Sequence, residues 1–192
     1  MIDIAFKNNI KPTNGCVLIS DPFLDEDFFR RSVILLCDHS SEGSFGFVLN
    51  NFLDIDLHEI DNDFPDINAV ISVGGPVETE SLFYIHTFGD KIKDSTPVND
   101  SISIGGNFEQ IKEELSKDQE NQAKIRFFLG YSGWDKLQLS REMSDNSWIV
   151  ASNITTDELL TIHQKDFWQY CIEKQGERFK TIAKFPINPI DN

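Results

Sequence analysis

At 192 residues the chain has the length of one domain, and 40 % apolar residues with 16 Phe and 3 Trp supply a buried interior, which excludes wholesale disorder. Its 17 Lys and Arg against 32 Asp and Glu give a net charge of -15, which opposes approach to a phosphate backbone and argues against direct nucleic-acid binding. The basic residues of the tail, Lys174, Arg178, Lys180 and Lys184, are interspersed with Glu173 and Glu177 and read as a solvated face.

Residues 1–14 are polar enough to form a loose arm. They lack a charged stretch followed by an apolar one, so no signal peptide is indicated. No apolar run approaches the roughly 20 residues that cross a bilayer, so the expected setting is cytoplasmic, with no membrane. "GCVLISDP" reads as a strand stopped by Pro22, and "FLDEDFFRR" as either a helical turn or a loop. "SVILLCDH" is apolar on both faces, which suits a central strand. "SSEGSFG" has the composition of a turn, so "FGFVLN" returns as the second arm of a hairpin. Further strands are expected at "NAVISVGG", "LFYIHTF", "SISIGG", "KIRFFLGYS" and "SWIVAS". Asn107 with Gln110 forms a capping pattern, and Phe108, Ile111 and Leu115 keep helical spacing, which predicts a helix over about 107–118. A second helix begins near Thr155 and Glu158, and Phe167/Cys171 and Trp168/Ile172 recur four apart into the tail. Residues 187–192 close the chain as a tail, leaving a single domain over 15–186. Strands outnumber helices and alternate with them irregularly, which indicates α+β with a mixed or antiparallel sheet.

The familiar catalytic patterns fail on spacing. Around Ser132 the chain reads Gly130-Tyr131-Ser132-Gly133-Trp134, without the second glycine of a nucleophile elbow. Gly74-Gly75 is not followed by a P-loop Lys and Ser/Thr, and no GxGxxG occurs, so no nucleotide cofactor is expected. His39, His58, His86 and His163 are scattered, which gives no metal site. Cys16, Cys37 and Cys171 are odd in number and far apart, as in a reducing compartment. Cys37 and His39 stand alternate on one strand and so project from one face. A thiolate activated by His39 would make a cysteine-based enzyme or redox sensor. The plainer reading is a buried cysteine beside a hydrogen-bonded histidine. "DEDFF" and "DNDFP" read as solvated carboxylates, and Phe127, Phe128, Tyr131 and Trp134 as core aromatics.

Taken together, "GCVLISDPFL", "FRRSVILLCDHSSEGSFGFVLN", "VGGPV" with "LFYIHT", "FFLGYSGWDKLQLSREMSDNSWIV" and "IAKFP" resemble the YqgE/AlgH family of bacterial proteins, in order over residues 15–186. The resemblance implies an α+β fold with a mixed, largely antiparallel, bifurcated sheet, folded into a partly closed barrel and flanked by helices. It also implies a cytosolic protein whose activity is not established, some members being labelled transcriptional regulators. Motif positions include Arg31, Ser32, Cys37, His39, Gly46, Asn50, Gly74, Gly75, Pro76, Gly130, Tyr131, Gly133, Trp134, Gln138, Leu139 and Trp148. The chain departs from the family's usual Ala at Ser132, from a common base at Asn51, and from Gly-Gln at Leu137-Gln138.

The expected function is therefore that of a non-enzymatic binding or regulatory protein, any effect on transcription passing through a protein partner. Arg31, Asn50, Gly74 and Gly75 are the candidate cleft for a small anion or peptide, by guanidinium fork, carboxamide and bare backbone donors. The structural alternative is that Arg31 pairs with Asp25 or Asp27, Asn50 caps a turn and the glycines serve the backbone. Cys37 with His39 is the alternative reactive pair.

Overall fold

The computed structural model describes residues 10–60, 62–65, 67, 69–161 and 166–184. Most of the expected arm and all of the tail over 187–192 lie outside them.

Apolar runs bounded by Pro, Gly and Asn become the strands. β1 (Val17–Ser20) is antiparallel to β2 (Val33–Ser40), which turns into β3 (Gly43–Val48). The segment between β1 and β2 resolves into turns. β4 (Phe52–Leu53), α1 (Leu57–Ile60), β5 (Ile71–Val73) and β6 (Val77–His86) follow. After β7 (Thr96–Pro97) and β8 (Ser103–Ile104) comes α2 (Phe108–Lys117), where Asn107 Oδ1 accepts from Gln110 N at 3.0 Å, as the capping pattern predicts. The chain continues through β9 (Ile125–Asp135), α3 (Gln138–Ser144), β10 (Trp148–Ala151), α4 (Thr156–Thr161), α5 (Phe167–Glu173) and α6 (Glu177–Ile182). The helix expected from Thr155 onward is thus several short helices. Among the described residues no helix is long and apolar enough to cross a membrane.

The strand order is β10-β1-β2-β3-β9-β6-β8-β7, antiparallel along that path, with β5 parallel to β9 and β4 antiparallel to β5. β9 is where the sheet divides. One edge of it pairs with β5 at Phe127–Leu129 and then with β3 at Ser132–Asp135, while the other edge pairs with β6 up to Val77↔Tyr131. β5 and β6 flank the same three residues of β9, so the link between them, Gly74-Gly75-Pro76, must cross the face of β9. The crossing is tight: a Cβ on Gly75 would sit 1.9 Å from the carbonyl carbon of Tyr131. Gly130 beneath it has φ 69°, and a Cβ there would lie 2.6 Å from the Gly75 carbonyl oxygen. Only residues without side chains allow backbones this close.

Helices cover both sides of the curled sheet. Ile19, Leu35, Phe47 and Phe128 pack with Leu159, Trp168 and Phe179 of α4–α6, whereas Leu18, Ile34 and Leu36 pack with Trp134, Leu139 and Trp148 around α3. β1 and β2 are buried on both faces, which is why they read as apolar runs without alternation. A third cluster joins Leu57, Phe64, Ile111 and Phe127 under α1 and α2. Fully buried Arg126 on β9 donates to the carbonyls of Leu159 (2.7 Å) and Leu49 and to Ser72 Oγ (3.3 Å), tying α4, β5 and the end of β3 to the dividing strand. Burial pulls its pKa down to about 9, which leaves it charged at neutral pH.

Candidate functional site

Arg31 and Asn50 come together at the end of β2 and β3. They line a hollow of about 250 Å³ with Asp27, Arg30, Ser32 and Asn51. Asn50 is engaged at both ends of its amide: Oδ1 accepts from Val33 N at 2.8 Å and Nδ2 donates to the Arg31 carbonyl at 2.8 Å. Those bonds hold Arg31 in a left-handed turn, φ 52°. The Arg31 guanidinium lies 4.8 Å from the Trp168 ring, and burial lowers its pKa. The ion pairs to Asp25 (2.7 Å) and Asp27 (3.6 Å) are made by the neighbouring Arg30.

Gly74 and Gly75 are not among the residues lining this hollow. Gly74 is committed to the sheet: its N donates to the Leu129 carbonyl at 2.8 Å, and its carbonyl accepts from Val48 N at 2.8 Å and from Ser132 Oγ at 3.0 Å. Ser132 is thereby buried as a structural hydroxyl. Cys37 and His39 face different partners. The Cys37 thiol is buried and donates to the Leu35 carbonyl at 3.7 Å, and burial, with Asp38 adding, pushes its pKa up, away from the thiolate. His39 Nδ1 shares a 2.7 Å hydrogen bond with Ser44 Oγ. A bulge at Leu36/Asp38 interrupts the regular ladder between them.

A larger concavity lies at the opposite end of the hairpin. It is a cleft of about 690 Å³ at the open end of the curled sheet. Phe45, Phe83, Ile104 and Tyr131 form its floor and continue outward the core containing Phe47 and Phe128. The floor is built of edge-to-face rings, Phe45 to Tyr131 at 6.1 Å and Phe83 to Tyr131 at 5.7 Å. Val77 is 37 % exposed beside them. The rim is acidic, with Asp38, Glu42, Glu78 and Asp135. Lys136 approaches Glu42 at 3.3 Å from outside the lining. Across β3 and β9, Gly43 faces Asp135 and Phe45 faces Gly133, so two positions of the floor carry no side chain.

Of the aromatics expected in the core, Phe127, Phe128 and Trp134 are buried, and Tyr131, half-buried, packs against the core while lining the cleft, as Trp134 also does. The acidic rim escaped the sequence because its members stand one at a time on separate segments: Asp38 in β2, Glu42 in the following turn, Glu78 in β6 and Asp135 at the end of β9. The visible signal is weak: Phe45 and Tyr131 are aromatics flanked by Ser and Gly, and Phe83 sits in the apolar run Leu82–Ile85.

A family described as AlgH-like, DUF179, matches residues 17–180. A UPF0301 protein of Bacteroides thetaiotaomicron is 40 % identical over 186 residues, covering 96 % of this chain and 94 % of the relative. One from Parabacteroides distasonis is 39 % identical over 187 residues, with 96 % and 94 % covered. The fold matches the solution structure of the AlgH protein from Pseudomonas aeruginosa, with TM-score 0.71 and 22 % identity over 94 % of this chain and 98 % of that one. It also matches a crystal structure from Corynebacterium diphtheriae, with TM-score 0.74 and 22 % identity over 94 % and 95 %. Family match, relatives and shared half-barrel agree, and the chain belongs to the AlgH-like, UPF0301 family.

Proposed function

We propose that the protein is a binding protein that acts through a protein partner, received in the cleft at the open end of the sheet. The observation that carries this reading is the floor of Phe45, Phe83, Ile104 and Tyr131: core-type apolar surface, continuous with the interior, that the described residues leave uncovered. The carboxylates around it suit a partner segment bearing positive charge. Any influence on transcription is then indirect, because a net charge of -15 repels the nucleic-acid backbone. The smaller hollow at Arg31 and Asn50 supports an anion less well, because the Asn50 amide already holds the turn.

A random dodecapeptide library displayed on phage tests the reading, with selection on wild type and on Phe83→Glu, whose folding is checked by circular dichroism. Peptides enriched on wild type should lose at least tenfold in affinity on Phe83→Glu. Enriched peptides that bind both proteins equally, or no enrichment at all, would remove the cleft as a partner site.

A further inference from the structure

The cleft adjoins an unfinished edge of the sheet, and the chain's own covalent path leaves it so. β6 accompanies β9 only as far as Val77↔Tyr131, yet β9 runs on to Asp135 with β3 on its other side. The residue that would continue β6 along that edge is Pro76, which has no N–H to give to a ladder, and Gly75 before it crosses over β9 instead. On the other side of Val77, residues 78–81 bulge away opposite Gly130, with Glu78 at φ 49°. Among the described residues no strand pairs with Ser132–Asp135 on the side away from β3.

We infer that the occupant of the cleft is an extended segment of a partner protein, alternating basic and apolar residues, that adds as a strand to β9 along Ser132–Asp135. This rests on the reading of the cleft as a partner site and names its partner chemistry. Short of Asp135, whose N–H already donates to Gln138 Oε1 at 3.0 Å, the edge supplies main-chain hydrogen bonds, and alternation at period two sorts the guest's side chains. Those on the concave side meet Phe83 and Tyr131, whose ring lies against Gly133. Charge selects the class of segment: Asp38, Glu42, Glu78 and Asp135 surround the place, and Lys136, at Glu42, offsets only part of that charge. A helical guest could not pair with the main chain of Ser132–Trp134 as an added strand does.

The test uses three fluorescein-labelled hexapeptides: alternating Lys and Val, the same peptide N-methylated at alternate backbone nitrogens, and alternating Glu and Val. The Lys-Val peptide should bind saturably and slow amide exchange within residues 132–135 as followed by NMR. N-methylation should weaken binding at least tenfold, as should Glu78→Lys or Asp135→Lys, two exposed substitutions whose folding circular dichroism verifies. If the methylated peptide binds as well as its parent, strand addition is wrong while the partner cleft survives. Equal binding of the Glu-Val peptide overturns the basic class. No binding by any of the three overturns the inference, and the library selection then decides separately whether the cleft is a partner site.

Discussion

Two residues in the left-handed region carry opposite consequences. Leu137 holds φ 63° before α3 and is 64 % exposed, so its side chain contributes little packing to offset the backbone cost of about 1 kcal/mol. This is the position where the family resemblance implies glycine. Leu137→Gly should raise stability by about 0.5 kcal/mol, the relief exceeding the added chain entropy. Gly130 shares that conformation but lies under the crossing chain, and Gly130→Ala should cost more than about 2 kcal/mol. Urea denaturation of both variants checks the pair, and a loss on Leu137→Gly would refute the account. Asn50 makes a related point about legibility. Its place at a strand end was readable, but its two bonds to Val33 and Arg31 depend on β2 lying alongside β3, which spacing alone does not state.

Among the elements, α4 is fixed by a reciprocal cap that the sequence announces. Thr155 N donates to Glu158 Oε2 at 2.6 Å and Glu158 N to Thr155 Oγ1 at 3.3 Å. The same carboxylate then receives Lys174 Nζ at 2.7 Å and the Tyr170 hydroxyl from α5, contacts beyond any local pattern. Burial alone would raise the Glu158 pKa, but the bonds from Lys174, Tyr170 and Thr155 outweigh it and bring it to about 2. The folded carboxyl thus releases its proton more readily than the unfolded one, whose pKa is 4.5. The stabilisation is complete above pH 4.5 and is lost as pH falls toward 2. Urea midpoints between pH 2 and 6 should fall less steeply in Glu158→Gln than in wild type, and identical slopes would show that the carboxylate is not the cause. The longer strands and α2 were legible because their burial follows from the residues themselves. β4, β7 and α3 were not. The first two are two-residue bridges, and α3 (QLSREMS) buries only Leu139 while Gln138 Oε1 accepts from Asp135 N at 3.0 Å.

For the whole molecule, the carboxylates at the free edge have a second role. An open strand edge invites pairing with another copy, and Glu78 and Asp135 place like charges where two such edges would meet. Neutralising them in the double variant Glu78→Gln, Asp135→Asn should raise the dimer fraction above that of wild type in sedimentation velocity. The effect should shrink near 1 M salt, where charge is screened beyond about 3 Å and wild type approaches the variant. An unchanged dimer fraction would show that the edge is guarded by something other than charge. The partly closed sheet follows the family's architecture, but the crossing that divides it is a relation among β5, β6 and β9 that a one-dimensional reading of "VGGPV" cannot express.

That crossing also orders the birth of the fold. Gly74-Gly75-Pro76 leaves the ribosome well before Ile125. The residues of the strap are therefore synthesised ahead of the strand they cross, and β5 and β6 lack their shared neighbour until β9 is made. Joining β5 and β6 through β9 is a long-range pairing of the kind that makes folding slow. A nascent chain cut short before Ile125 has no middle strand to join its halves.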